Sequence, residues 1–129
     1  MIALDTNVLA RYLVQDDPGQ GALATRLIED TLTPEEPGFV SLIVLVELSW
    51  VLSRVYGCGP RQIRDIVSEL VASDTIVIEQ AACVLDALQR SHDDFADVMA
   101  HEVGRAHGCA WTATFDRKFA RLDGVRLLA

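Results

Sequence analysis

A chain of 129 residues, half of them apolar and 23% charged, is long enough to bury a core of its own and too apolar to be disordered, so it reads as one domain spanning 1–129. Its formal net charge of −8 argues against a simple basic nucleic-acid binder, although divalent cations held by an acidic site would cancel part of that charge. The cysteines Cys58, Cys83 and Cys109 form no CxxC pair; they read as reduced and offer no zinc pattern. The longest apolar run, "FVSLIVLV", ends at Glu47 and is too short for a membrane span. No basic region precedes the apolar start and Asp5 arrives early, so no signal peptide is expected and the chain is assigned to the cytoplasm.

In chain order, strands are expected at 2–5, 38–41, 75–78, 109–113 and 125–128, with helices between them. "TNVLARYLV" is a helix; "DDPGQG" is a turn; "GALATRLIEDTL" is helical again, and "TPEEPG" is a loop. A long helix follows from about Ser41 to Tyr56, stopped by "GCGP", and "PRQIRDIVSELVA" starts with proline in its first turn, where the missing amide costs nothing. "EQAACVLDALQRS" and "DDFADVMAHEVGRAH" are the next helices, the latter closed by Gly108, and "DRKFARL" lies between the last two strands. Short apolar runs alternating with helices define an α/β domain with a parallel sheet. In such sheets ligands sit beyond the carboxyl ends of the strands, where Asp5 and Asp116 fall.

Asp5 taken alone could cap the first helix. Glu47 is harder to explain: its helical neighbours Ile43, Val44, Trp50 and Val51 are apolar, no nearby cation pairs with it, and a buried carboxylate needs a partner. Its helix is apolar on most sides, so the stripe is expected to be buried. Asp97 has Asp93 and Asp94 one turn before it. Asp94 reads at least as well as a helix cap as it does as a functional acid, and Asp97 is the better ligand candidate. Asp116 ends a strand beside Thr112 and Thr114. Four acids from separate strand ends and helix starts are expected to meet at one rim. An oxygen-only set suits Mg²⁺ or Mn²⁺, and phosphodiester hydrolysis is the chemistry that uses it. His92, His101 and His107 read as helix-surface or capping residues.

"LDTNVLARYL", Glu47, "DFADVMA" and "TATFDRKF" together resemble the four acidic motifs of PIN-domain ribonucleases, and the size and order resemble the VapC-type toxins of toxin–antitoxin pairs. The resemblance implies a three-layer α/β/α sandwich with about five parallel strands and Mg²⁺- or Mn²⁺-dependent cleavage of RNA. It also implies a homodimer and an antitoxin partner. It carries over Asp5, Glu47, Asp97 and Asp116 as metal ligands or catalytic acids, with Asn7 and Thr114 in support. Arg117, Lys118 and Arg121 could steer an RNA backbone or form a solvated helix face. Among rivals, a haloacid-dehalogenase-type phosphatase needs a second acid where Asn7 stands. A phosphate receiver needs an acid after the third strand, and a dinucleotide fold needs GxGxxG after the first. A catalytically silent PIN-like module that only docks a partner is the alternative from another class.

Overall fold

The computed structural model describes residues 1–129 and divides into two compact units, residues 1–81 and 82–129. All five expected strands are present and shorter than expected, the fourth shifted to 112–114 from the expected 109–113, and every pairing is parallel. The strands form a three-stranded ladder and a two-stranded ladder, where a single sheet was expected. With strands of only two or three residues, few ladder hydrogen bonds are made and side-chain packing carries the cohesion.

In the first unit β1 (Ile2–Ala3), β2 (Gly38–Val40) and β3 (Ile76–Ile78) pair in sequence order. Gly38 lies against Leu4 and Leu32; a Cβ there would come within 2.8 Å of both side chains, so a larger residue would force both leucine tips to move. Helix α1 (Thr6–Val14) leaves β1 and α3 (Leu42–Arg54) leaves β2, and the two pack together. Ser41 caps α3 through Oγ, which accepts from Val44 N at 3.2 Å, while Oε1 of Glu79 accepts from Leu42 N at 2.8 Å. That second bond pins the end of β3 to the start of α3. Leu9, Val40, Leu45, Leu48 and Leu52 are fully buried here.

"DDPGQG" is only half a turn. Asp17 accepts from Gln20 N at 2.9 Å and Pro18 takes the first helical position, so α2 (Pro18–Thr25) begins three residues earlier than its apolar pattern suggests. It passes into a π-helical segment, Arg26–Thr31. Helix α4 (Pro60–Ala72) follows the stop at Gly57, where φ is +69°.

The second unit holds most of α5 (Ala81–Leu88), all of α6 (Phe95–Ala106), and the parallel pair β4 (Thr112–Thr114) and β5 (Val125–Leu127). "DRKFARL" makes one 3-10 turn, Phe119–Arg121. Val84, Val98, Met99 and His101 are buried in this unit. No helix is long and apolar enough to cross a membrane, and the three cysteines are free thiols.

Candidate active site

Asp5 stands at the N-cap position of α1, with the extended backbone a cap requires, yet its side chain makes no capping hydrogen bond. Its exposed carboxylate takes part in no hydrogen bond or ion pair. A cap contributes about 1 kcal/mol when it works, so helix capping does not account for this acid. The hydroxyl of the next residue, Thr6, is buried without a partner. Asn7 is exposed and opens onto a largely apolar groove of about 320 Å³ with Val8, Arg11, Gln20 and Leu23. Arg11 is already committed: it donates to both oxygens of Asp16 at 2.9 Å and to Gln20 Oε1 at 2.8 Å.

Glu47 corrects the expectation of burial. It is exposed on the second turn of α3, and so are its neighbours Ile43 at 79% and Trp50 at 51%. The apolar stripe faces outward, while Leu45, Leu48, Ser49 and Leu52 on the other side form the core. Because α3 is apolar on nearly every side, composition could not say which stripe was inner. Glu47 has no protein partner for its charge. Arg54 lies instead over the Trp50 ring, 4.3 Å from its centroid.

The buried acid of this protein is Glu102, 2% exposed, and it is structural. Arg90 Nε donates to Oε1 at 2.7 Å and Arg105 to Oε2 at 3.2 Å. Sequence reasoning missed it because Arg90 lies twelve residues away, outside the helix, and no helical spacing signals such a pair.

Within the second unit Asp94 caps α6, its Oδ1 accepting from Asp97 N at 3.1 Å. Asp97 is one-third exposed and its Oδ2 lies 3.1 Å from Nε2 of His92. Burial pushes the Asp97 carboxyl above the ordinary carboxylate range; the bond from His92 opposes this, and repulsion from Asp94 and Asp116 adds to it. Asp116 turns the chain after β4: its Oδ1 accepts from the amides of Lys118 at 2.8 Å and Phe119 at 3.1 Å. Thr114 Oγ1 accepts from Asp116 N at 3.0 Å, a supporting contact. Asp116 Oδ2 takes part in none of these bonds.

The histidines divide differently from expectation. His107 does cap, Nδ1 lying 2.9 Å from the Val103 carbonyl. His101 is a core residue, 1% exposed, with Nδ1 2.7 Å from Thr112 Oγ1 and Nε2 without a hydrogen bond. The side chain of His92 is 6% exposed and packs on Phe119. Both sit in helical or loop segments whose polar pattern hides their burial. Of the basic trio, Lys118 is paired with Asp93 at 2.9 Å, whereas Arg117 and Arg121 are exposed and make no ion pair.

The donors are carboxylates, the chemistry hard divalent ions prefer. No group of three or more His, Cys, Asp or Glu side chains is gathered tightly enough to hold an ion, so no closed structural cage of the zinc type is present. Asp5 and Glu47 are exposed carboxylates free of protein partners.

Parallel strands alternating with helices define an α/β protein. The chain belongs to the PIN domain family, whose match runs from residue 2 to 125. A solved structure, that of Mycobacterium tuberculosis VapC20, described as a sarcin-ricin loop cleaving toxin, is similar at 23% identity with a TM-score of 0.48. The similarity covers 98% of this chain and 99% of that one. None of the curated proteins compared with the chain matches it.

Proposed function

We propose that the protein is a Mg²⁺- or Mn²⁺-dependent endoribonuclease acting as the toxin of a toxin–antitoxin pair. Asp5, Glu47, Asp97 and Asp116 are its metal-ligating and catalytic acids. The observation that carries this reading is Asp5, an acid in a capping position that caps nothing and pairs with nothing, in a chain of the PIN domain family. A divalent ion held by these acids would supply Lewis acidity, to acidify water and neutralise charge on a phosphodiester. The chain's own part is to present oxygens. Asp5 and Glu47 offer unpaired carboxylates, Asp97 one held by His92, and Asp116 one oxygen left over from its turn, with Asn7, Asp94 and Thr114 in support. Arg117 and Arg121 are the cations free to meet an RNA backbone; Lys118 would first have to leave Asp93. A homodimer, a cognate antitoxin and a cytoplasmic setting complete the proposal, and the outward apolar residues Ile43, Trp50 and Val55 are the surface such partners would cover.

Cleavage of RNA by the purified chain with added Mn²⁺ tests this. Asp116→Asn keeps Oδ1 as the acceptor for both amides of its turn, so folding is preserved while the charge is lost. Rates for Asp5→Asn and Asp116→Asn are expected to fall by orders of magnitude, and neither variant should arrest growth when expressed alone. A folded Asp116→Asn protein that still cuts RNA would refute the assignment. Wild type that binds RNA without cutting it would favour the docking-module reading.

A further inference from the structure

His92 lies in the loop between α5 and α6, and what its hold on Asp97 does for the site goes beyond the roles given so far. Its Nε2 stands 3.1 Å from Oδ2 of Asp97. An ionised carboxylate can only accept, so Nε2 carries the proton and donates. The imidazole ring packs on Phe119 with centroids 5.4 Å apart and planes tilted by 32°. Phe119 in turn donates its backbone N–H to Oδ1 of Asp116 at 3.1 Å. One imidazole therefore touches Asp97 directly and, through one ring, the turn that presents Asp116. At the surface the ion pair of Lys118 with Asp93, 2.9 Å long, fastens the same two segments a second time.

A carboxylate with both oxygens free rotates about its last bond, which is broad and nearly two-fold. Occupying Oδ2 removes that freedom and leaves Oδ1 as the oxygen for a ligand. We propose that His92 is a positioning residue: its Nε2–H fixes which oxygen Asp97 presents, while its ring only packs on Phe119 beside the turn carrying Asp116. The proposal rests on reading Asp97 as a metal ligand. Groups that orient a ligating side chain in this way change metal affinity by about ten- to a hundredfold when removed.

Two substitutions separate the donor from the ring. His92→Phe keeps an aromatic body against Phe119 and removes the N–H; His92→Gln supplies an N–H at about the reach of Nε2 and removes the ring. In calorimetric titration with Mn²⁺, His92→Phe is expected to bind about ten- to a hundredfold more weakly at an unchanged melting temperature. Cleavage should return at high Mn²⁺ with the RNA KM unaltered. His92→Gln should stay within about threefold of wild type in Mn²⁺ affinity. In the metal-free protein the Asp97 carboxyl, followed by carbon NMR, should titrate at higher pH in His92→Phe, because a donor to its charged form is gone. If His92→Phe does not fold, His92→Met answers the same question. Wild-type Mn²⁺ affinity and an unmoved Asp97 titration in His92→Phe would overturn the proposal. So would a loss in the Gln variant with none in the Phe variant, which would leave ring packing as the only role. If wild type itself neither binds Mn²⁺ nor cuts RNA, the nuclease reading fails alone, and the Asp97 titration still decides whether His92 holds that carboxylate.

Discussion

Arg90→Leu tests how the buried acid Glu102 is held. Glu102 is 2% exposed and has two partners of unequal weight. Arg90 makes a 2.7 Å bond from a side chain 27% exposed; Arg105 makes a 3.2 Å bond from one 51% exposed. Removing one member of a buried pair typically costs about 3–5 kcal/mol, because a charge is stranded away from water. Arg105 remains, and a half-exposed helical pair of this spacing restores only about 0.5 kcal/mol. Some water also reaches the Arg90 position, so the expected loss is about 2–3 kcal/mol. For a domain of this length each kcal/mol lowers the melting temperature by about 3–6 °C, which puts the shift on the order of 10 °C. Urea denaturation should show a lower midpoint at constant slope. The same substitution on a Glu102→Leu background should cost less than about 1 kcal/mol, since no charge is then stranded. A single variant within about 0.5 kcal/mol of wild type would show that Arg90 does not hold Glu102 in place, and the reasoning would fail. The pair also bears on function. Arg90 lies two residues before His92, and Glu102 shares α6 with Asp97, so a loosened Arg90 segment should weaken Mn²⁺ binding as well.

Burial holds the His101 imidazole below its ordinary range, with Glu102 opposing and Arg90 and Arg105 reinforcing the shift. The unfolded chain then takes up the proton first as pH falls, so this contribution is complete above the ordinary histidine value and is lost on acidification through the folded one. His101→Asn, which can still bond Thr112, should lose less stability than wild type between neutral and mildly acidic pH, and equal losses in urea midpoints would contradict this. Asp5→Ala should leave the melting temperature nearly unchanged because Asp5 caps nothing, whereas Ser41→Ala, which removes a working cap, should cost about 1 kcal/mol. Comparable losses in the two would mean that Asp5 does cap α1 in solution.

Much of the architecture is written locally. Period-two and period-3.6 apolar patterns, Pro18 and Pro60 at helix starts, and Gly57 and Gly108 at helix ends act within a few residues, so all five strands and the main helices were legible in the chain. The acids in their motif order were legible too, as was the Asp94 cap, whose bond spans three residues. What tertiary structure alone decided is inward and outward direction and distant pairing. An α3 that is apolar all round does not declare its buried stripe, and the helix turned Leu45, Leu48 and Leu52 inward, leaving Glu47 in water. Glu102 found Arg90, Asp93 found Lys118, and His92 found Asp97 and Phe119. These contacts carry no helical spacing, because they join loops to helices across turns whose geometry exists only once the chain has packed. Local patterns are set by backbone periodicity, but the environment of a charge is set by whichever neighbours packing brings to it.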